Sequence, residues 1–241
     1  MTETTWILME VIDLRRETPL LTTLRLTPVL EGGRFDFQAG QCVKILCPGG
    51  RESYFAMASE PEEKQCVEFL IKDQEGSAAH ELCQVQIGDQ LKVGPPFGKG
   101  FPIDRLKGKD VLLIGIGSGL SPLRSVLKSI LRRDHQFGQV ALLYGARTPE
   151  DIPYRSEFDR WAKLIRLEIA LSRLHDSKPI HSQGEAGRFF RQGHVTDLIP
   201  KLSLSPGKTI ACLCGTKVMQ EEVTKLLERA GVSKENILLN Y

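Results

Sequence analysis

A glycine-rich turn followed by a helix is the part of this sequence that most directly suggests chemistry. Residues 111–114 have the pattern of a buried strand, and three glycines follow in five residues, Gly115, Gly117 and Gly119. Ser121 is the expected N-cap of the next helix and Pro122 its first residue, because proline lacks the N–H that has no partner there. Free N–H groups at a helix N-terminus attract a pyrophosphate. The segment predicts a nucleotide-binding turn, and a turn without a ligand is the alternative.

Two polar residues after a later strand suggest which nucleotide such a turn would bind. Ser172 and Arg173 follow the predicted strand 167–171, at an edge where an adenosine ribose would lie. A hydroxyl and a guanidinium together suit a 2′-phosphate through charge-assisted hydrogen bonds. No acidic residue ends the strand 140–144, which runs on towards Arg147, so the turn departs from the usual dehydrogenase fingerprint. A solvated surface arginine is the alternative for Arg173.

The elements that would position these residues alternate between strand and helix from residue 109 onwards. Short apolar runs typical of strands buried on both faces occupy residues 111–114, 140–144, 167–171, 209–213 and 237–239. Helical patterns occupy residues 122–133, 155–163, 195–202 and 217–230, the last with Thr216 as N-cap and Gly231 after its end. Residues 178–192 are polar and predict a loop. This alternation predicts a parallel sheet whose ligands lie at the carboxyl ends of its strands.

The first hundred residues have a different pattern, with short alternating runs at residues 20–26, 41–46 and 67–72 between glycine-containing turns. Several short strands at near-regular spacing predict a small closed barrel, because closure removes exposed edges. Residues 94–101, rich in Pro and Gly, and the charged run after them predict a linker. We therefore expect two domains, residues 1–105 and residues 106–241.

Composition excludes several classes of partner. The chain has 241 residues, 41% hydrophobic and 26% charged, with a formal net charge of +2, so neither nucleic acid nor an anionic membrane is expected as the main partner. No apolar run reaches the roughly 18 residues needed to cross a bilayer. The N-terminus carries acidic residues on both sides of a short apolar patch, unlike a signal peptide. These features predict a cytoplasmic protein.

The six cysteines are scattered and lack the spacing of a disulfide scaffold. Cys212 and Cys214 would point the same way from a strand, which is compatible with a metal pair. No second pair and no nearby histidine complete a tetrahedral site, so we expect no bound metal.

Several motifs in this order resemble those of the ferredoxin–NADP⁺ reductase superfamily, and together they cover nearly the whole chain. In the second half they are GIGSGLSPLRS (residues 115–125), LLYGARTPEDI (142–152) and CGTKVMQ (214–220), the last with Thr216 where proline is commoner. In the first half they are FQAGQCVKI (37–45), YFAMASEP (54–61) and GSAA (76–79). The resemblance implies an antiparallel flavin-binding barrel of the Greek-key type. A doubly wound, five-stranded parallel nicotinamide-nucleotide domain follows it.

The resemblance also implies cofactors and the residues that bind them. The cofactors would be FAD, with FMN not separated from it by the sequence, and NADP or NAD. The residues implied on the flavin side are Ser53, Tyr54, Phe55, Ala56, Met57, Ile71, Gly76, Ser77 and Ala78. Those implied on the nucleotide side are Gly117, Ser118, Gly119, Leu120, Ser121, Pro122, Arg147, Ser172, Arg173, Gly215 and Met219.

The flavin strand departs from the family pattern Arg-x-Tyr-Ser. Alignment through the following residues puts Ser53, Phe55 and Ala56 at the arginine, tyrosine and serine positions. Phe55 would then pack on a ring face, and Ser53 or Arg51 would replace the phosphate contact in part. We expect weaker flavin binding that depends more on backbone N–H groups and Ser77, with altered chemistry at flavin N5.

Two residues correspond to positions where the family places groups beside the reacting rings. Cys214 corresponds to the cysteine beside the nicotinamide, and a small buried hydrophobe is the alternative reading. Tyr241 is the last residue given and corresponds to an aromatic that covers the flavin, with a frayed terminus as the alternative. The Ser172–Arg173 pair resembles the pair that holds the 2′-phosphate in NADP-dependent members, which favours NADP.

The resemblance implies a flavin-dependent NAD(P)H oxidoreductase that passes a hydride from NAD(P)H to FAD and electrons onward to an unidentified acceptor, of which an iron–sulfur protein is one class. A second hypothesis is an electron-transfer subunit of a larger complex, with the iron–sulfur centre on a partner, because no cysteine cluster follows residue 214. A third is a non-enzymatic nucleotide-binding module that has lost flavin, because the flavin strand is altered.

Overall fold

The computed structural model describes residues 5–173 and 189–240, which form two sheets. The first sheet is antiparallel, and its strands are β1 (Ile7–Thr18), β2 (Leu21–Pro28), β3 (Cys42–Leu46), β4 (Glu52–Ala56), β5 (Val67–Lys72) and β6 (Gln90–Val93). Their order is β4-β3-β6-β1-β2-β5. A bridge between Met57 and Phe69, and a hydrogen bond of 2.6 Å from Ala58 N to Glu68 O, join the two outer strands. The sheet therefore closes into the predicted barrel.

Alternation within the strands separates the barrel interior from its outside. In β3, Val43 and Ile45 are buried, whereas the residues on either side of them are partly exposed. The interior packs these two against apolar residues of the other strands, among them Met9, Val11, Leu24, Leu26 and Phe69. Helix α1 (Ala78–Leu82) connects β5 to β6, and α2 (Ile103–Leu106) leads into the second sheet. The predicted domain boundary at residues 105/106 falls within α2 and stays a prediction.

The second sheet is parallel throughout. Its strands are β7 (Asp110–Ile116), β8 (Val140–Ala146), β9 (Arg166–Leu171), β10 (Phe190–Gln192), β11 (Thr209–Cys214) and β12 (Ile237–Leu239), in the order β10-β9-β8-β7-β11-β12. Helices α3 (Leu120–Leu131), α4 (Phe158–Trp161) and α5 (Lys217–Arg229) lie between the strands. The sheet has one strand more than the five expected. The sequence predicts a loop at residues 178–192, where β10 lies, because a strand of three residues is too short to show a periodic pattern. Residues 178–188 of that predicted loop lie outside the described residues.

The helix α5 confirms its predicted ends, whereas α3 starts differently from the prediction. Thr216 accepts a hydrogen bond of 3.3 Å from Met219 N, and Gly231 adopts φ +88° after the helix. The predicted N-cap of α3 is wrong. A 3₁₀ turn, Gly117–Gly119, precedes the helix, and the Ser121 hydroxyl donates to Ala56 O (2.7 Å). The hydroxyl that a helix cap would use is therefore hydrogen-bonded to the barrel instead.

The two other predicted helices form mostly 3₁₀ turns. Residues 155–163 contain the turn Arg155–Glu157 before the short α4, and Tyr154 precedes the turn in a left-handed conformation (φ 56°). Residues 195–202 contain the 3₁₀ helix Val195–Lys201, which includes Pro200. Proline lacks the N–H that an α-helix needs there. Among the described residues, none of the helices is both long enough and apolar enough to cross a bilayer.

The end of helix α3 and the two residues after it join the two sheets through a row of ion pairs. Arg132 donates to both carboxylate oxygens of Glu60 (2.5 and 2.7 Å), and Arg133 donates to Glu62 (2.6 Å). Lys128 lies 3.8 Å from the carboxylate of Glu60. The basic residues come from the parallel-sheet half and the acidic ones from the barrel, so this row, the interdomain seam, helps hold the halves in one arrangement.

Candidate functional site

A cleft of about 980 Å³ lies where the barrel meets the carboxyl ends of the parallel strands. This volume is at the upper end of the range of about 300–1,000 Å³ that is usual for ligand pockets. One wall is formed by β4 of the barrel, and the other by the turn Gly117–Gly119 and the ends of β8, β9 and β11. The cleft therefore has the place that the strand pattern predicts for a ligand of a parallel sheet.

The glycine turn is packed tightly on one side and open on the other. A Cβ on Gly119 would lie 2.4 Å from Cys214 O, so only glycine lets the turn approach the end of β11. Gly117 has φ +54°, and a Cβ there would meet nothing within 4 Å. The buried Tyr144 hydroxyl donates to Gly117 O (3.0 Å) and fixes the turn from below. Burial raises the pKa of Tyr144, so the phenol stays protonated as a donor.

The ends of β8 and β9 bring polar side chains to the rim of the cleft. Arg147 lines the cleft and donates to both carboxylate oxygens of Asp151 (3.2 and 3.3 Å). Ser172 lines the cleft as well, and Arg173 is exposed beside it. Because Arg173 N donates to Arg147 O (2.8 Å), the two arginines stand on neighbouring backbones. The rim thus carries the Ser172 hydroxyl, the exposed Arg173 and an Arg147 guanidinium that is paired with Asp151.

Adjacent aromatic residues of β4 have opposite surroundings. Tyr54 is 63% exposed, lines the cleft and lies edge-on to Phe97 with the ring centroids 5.5 Å apart. Phe55 is 9% exposed and packs in the barrel core. The cross-strand pairs are Lys44 with Tyr54 and Val43 with Phe55, which gives Phe55 the inward face and Tyr54 the outward one. Of the aromatic residues that line the cleft, Tyr54 has the most exposed ring.

The predicted phosphate turn begins at Gly76, which has φ +76°. Ser77 caps α1 by accepting from His80 N (3.2 Å). Arg51 reaches this turn by donating to Gly76 O (2.9 Å), and its Nε donates to Glu81 (3.0 Å). Hydrogen bonds from Arg51 and the Gly49 N–H lower the pKa of Glu81, so the carboxylate stays charged. Of the two residues that were alternatives for the phosphate contact, Arg51 is the one hydrogen-bonded to this turn, and Ser53 lines the cleft.

Cys214 ends β11 and lines the cleft. Burial raises its pKa to about 12, so the thiol is neutral near pH 7. Its neighbour in the C-x-C pair, Cys212, is fully buried. Within residues 5–173 and 189–240, no three His, Cys, Asp or Glu residues are grouped so that they could hold a metal ion. Cys214 thus offers a small, uncharged side chain at the cleft.

The structure brings most of the predicted site residues to the cleft. Those that line it are Ser53, Tyr54, Phe55, Ala56, Gly117, Ser118, Gly119, Ser121, Pro122, Arg147, Ser172, Cys214, Gly215 and Met219. Predicted residues outside the lining are Met57, Ile71, Gly76, Ser77, Ala78, Leu120 and Arg173. Tyr241 lies outside the described residues.

Several lining residues were not predicted, among them Tyr144, His194, Thr196, Thr216 and Glu222. His194 and Thr196 follow β10, and recognising that strand would have placed them at the same edge of the sheet. Thr216 was predicted only as a helix cap. Its position between the predicted site residues Gly215 and Met219 could have indicated that it also lines the cleft. Tyr144 lies inside a strand, where no sequence signal distinguishes a hydroxyl that supports the turn from an ordinary core aromatic.

The residues present fit a flavin on one wall and a nicotinamide nucleotide on the other. Tyr54 exposes a ring in the cleft, and large exposed aromatic rings are suited to stacking on planar ligands. The open side of Gly117 leaves space for a ligand against the backbone. The turn also directly precedes α3, whose N-terminus favours negative charge.

Comparison with known proteins agrees with this geometry. The model of the oxidoreductase NAD-binding domain matches residues 113–225. The reductase component of propane 2-monooxygenase from Mycolicibacterium goodii is 31% identical over 232 residues, which is 95% of this chain and 65% of that protein. This chain therefore spans less than two thirds of that relative. Ferredoxin–NADP reductase B from Sorangium cellulosum is 31% identical over 217 residues, with 86% of each chain covered.

A solved structure shows the same fold over its whole length. A ferredoxin–NADP⁺ reductase from Neisseria gonorrhoeae, with bound FAD and NADP, superposes with a TM-score of 0.79 at 20% identity, covering 98% of each chain. At that identity the likeness shows the fold, and the Sorangium relative carries the family assignment. The two-domain architecture, the cleft and these comparisons together show that the chain belongs to the ferredoxin–NADP⁺ reductase family.

Proposed function

We propose that this protein is a flavin-dependent NAD(P)H oxidoreductase that passes electrons from NAD(P)H, through FAD, to a separate acceptor. The observation that carries the proposal is one cleft lined both by the exposed Tyr54 ring of the barrel and by the glycine turn Gly117–Gly119. A flavin supplies hydride acceptance and one-electron release when it is bound. The chain's own contribution is to hold the two rings against each other and to exclude water.

On the flavin wall, Tyr54 would hold the ring system and Arg51 would bring charge to the phosphates. Tyr54 is proposed because its ring is exposed in the cleft while that of Phe55 packs in the barrel core. Arg51 is proposed because it is fixed against Gly76 O, at the turn that resembles the family's phosphate turn. FAD is favoured over FMN by the FAD bound in the Neisseria structure.

On the nucleotide wall, the glycine turn would receive the pyrophosphate, and Cys214 would stand beside the nicotinamide. A neutral thiol leaves the approach to the ring uncharged and donates no proton at pH 7, and hydride transfer needs no general acid. Ser172 and Arg173 would bind a 2′-phosphate, with Arg147 on the adjacent backbone as further positive charge. NADPH is therefore the proposed donor.

The acceptor is proposed to be a separate redox protein, of which an iron–sulfur protein is one class. The Mycolicibacterium relative is a reductase component, which indicates that such chains deliver electrons to another component. The same observation supports the second candidate, an electron-transfer subunit of a larger complex. A stable co-purifying protein would favour the subunit, whereas full turnover with a small dye by the isolated chain would favour the first candidate.

A cytoplasmic location is proposed as well. All six cysteines are unpaired, and unpaired cysteines are usual in a reducing compartment.

The test is an absorption spectrum of the purified protein, followed by anaerobic addition of NADPH or NADH. We expect a flavin band that bleaches faster with NADPH. Arg173→Ala should raise the KM for NADPH about tenfold or more, because hydrogen bonds to charged groups are worth about 1.5–3 kcal/mol, and leave that for NADH unchanged. A faster reaction with NADH would overturn the assignment of Ser172 and Arg173. A protein that stays colourless after incubation with excess FAD would favour the non-enzymatic module instead.

A further inference from the structure

Two backbone carbonyls at the end of the flavin strand accept hydrogen bonds from side chains of helix α3. The Ser121 hydroxyl donates to Ala56 O (2.7 Å), and Arg124 Nη1 donates to Ala58 O (2.9 Å). Ala56 ends β4, and α3 begins directly after the glycine turn Gly117–Gly119. One rigid helix therefore connects the proposed nucleotide turn to the end of the proposed flavin strand.

Arg124 is the centre of this connection. It is 5% exposed, and it pairs with carboxylates from both halves of the molecule. Nη1 lies 3.1 Å from the carboxylate of Glu68 in β5 of the barrel. Nε and Nη2 both donate to Oε1 of Glu157 in the parallel-sheet half (3.1 and 2.6 Å). The guanidinium plane also lies over the Tyr154 ring, with Cζ 4.1 Å from the centroid.

Residues 154–157, which contact Arg124 from the parallel-sheet half, are themselves fixed to the barrel. Tyr154 adopts φ 56°, a value that non-glycine residues rarely take. Its backbone N–H donates to the Glu17 carboxylate of β1 (3.0 Å). The contacts of Arg124 thus run from the flavin strand through α3 to residues 154–157 and back to the barrel at Glu17.

We propose that Arg124 is a positioning residue that fixes the end of the flavin strand against the nucleotide turn, and so sets how the nicotinamide approaches the flavin. The proposal rests on the proposed function for its consequence in catalysis. Its structural part, that Arg124 immobilises residues 56–58, stands by itself. Misplacing bound reactants by an ångström can cost on the order of 100-fold in rate, so a fixed relation between these two elements matters.

The chemistry of the contact requires arginine rather than any cation. A guanidinium presents five donors in a plane and can stack on a ring, whereas an ammonium is a compact point charge. Lysine at position 124 keeps a positive charge between Glu68 and Glu157, but it cannot serve Ala58 O, Glu157 and the Tyr154 ring together. Arg124→Lys therefore separates the positioning role from the charge.

Arg132, directly after the end of α3, supplies a control. It also makes a two-pronged contact with a barrel carboxylate, that of Glu60, but its side-chain hydrogen bonds go to that carboxylate and not to a backbone carbonyl of residues 56–58. If these two arginines act only by holding the two halves together, Arg132→Lys and Arg124→Lys should have the same kind of effect.

The experiment compares wild type, Arg124→Lys and Arg132→Lys as flavin-loaded proteins. The first readout is hydrogen exchange at the amides of residues 56–59. We expect exchange about tenfold faster in Arg124→Lys and unchanged in Arg132→Lys. The second is the rate constant of flavin reduction at saturating NADPH, where we expect a fall of about tenfold for Arg124→Lys alone, with the NADPH Kd and flavin content nearly unchanged.

Equal exchange in the two variants would overturn the positioning role, whatever the activity. A wild-type protein that no pyridine nucleotide reduces would instead overturn the proposed function, and the exchange readout would still decide the role of Arg124. Unchanged reduction in Arg124→Lys despite faster exchange would refute the catalytic consequence. If Arg124→Lys does not fold, Glu157→Gln replaces it, with Glu60→Gln as its control. For Glu157→Gln we expect amide exchange about threefold faster and flavin reduction about threefold slower, and the same results would overturn the proposal.

Discussion

Tyr54 and Phe55 are neighbours in sequence, yet their side chains serve different parts of the molecule. The outward ring of Tyr54 lies edge-on to Phe97 and is mostly exposed. The inward ring of Phe55 packs with the barrel core. Tyr54→Leu therefore tests the contact of the exposed ring with a ligand, and Phe55→Leu tests packing of the barrel core.

Tyr54→Leu should weaken FAD binding about two- to tenfold, because an aromatic pair is worth about 0.5–1.5 kcal/mol beyond its buried area. Its effect on the free energy of unfolding should stay within about 0.5 kcal/mol, as is usual for exposed positions. Phe55→Leu should cost up to about 1.5 kcal/mol of stability and leave the FAD Kd unchanged. Fluorescence titration with FAD and urea denaturation measure the two quantities, and a larger loss of FAD affinity in Phe55→Leu would contradict the assignment.

Because the pKa of the Cys214 thiol is raised, the free energy of unfolding should change with pH in the alkaline range. Its pKa is about 12 in the folded chain, against about 8.5 for an unperturbed thiol. Above pH 8.5 the unfolded chain loses this proton while the folded chain keeps it. The stabilisation is therefore complete below pH 8.5 and declines as pH rises towards 12.

Cys214→Ser removes this titration. The free energy of unfolding should fall less between pH 8 and pH 10 in the variant than in wild type, as measured by urea denaturation at both values. The other cysteines are present in both proteins, so their contributions cancel in the comparison. An identical fall in the two proteins would show that the Cys214 thiol is not held in its neutral form.

At the scale of elements, the contact between the glycine turn and the end of β11 decides the shape of the nucleotide wall. A Cβ at Gly119 would lie 2.4 Å from Cys214 O and 2.8 Å from Cys214 C, and both are backbone atoms that cannot rotate away. The start of α3 would have to move off the sheet. Gly207 makes a control, because a Cβ there would meet nothing within 4 Å.

Gly119→Ala should weaken NADPH binding by about tenfold or more, because the turn can no longer hold its place beside Cys214. Gly207→Ala should leave both affinity and stability within about 0.5 kcal/mol of wild type. Isothermal titration with NADPH measures the affinities. Wild-type affinity in Gly119→Ala would mean that the turn does not bind the nucleotide.

At the scale of the whole molecule, a ligand that binds in the cleft contacts both sheets and should stabilise the entire chain. FAD at 100 times its Kd adds about 2.7 kcal/mol by linkage. For a chain of this length, each kcal/mol raises the Tm by about 2–4 °C, so the Tm should rise by roughly 5–10 °C. Thermal denaturation followed by circular dichroism tests this, and a Tm unaffected by FAD would argue against a flavin site.

The amino-acid sequence by itself determined the two-part architecture and the place of the site. Alternation with a period of two in the first half, and short apolar runs between helical patterns in the second, reflect which faces must be buried. Parallel strands bring their carboxyl ends to one edge, so the glycine turn, Arg147, Ser172 and Cys214 could be placed together without coordinates. Strand and helix periodicity depend on residues close together in the sequence, and the sequence alone therefore predicts them.

Only the tertiary structure decided which partner each group takes. Ser121 has the signature of a helix cap, but Ala56 O, 65 residues away in sequence, offered its hydroxyl a partner in the barrel. Cross-strand pairing gives Phe55 the inward face of β4 and Tyr54 the outward one, and the sequence did not distinguish these two orientations. Arg124 became buried because carboxylates from two distant segments compensate its charge. Such contacts join residues far apart in the chain, and no local pattern encodes them.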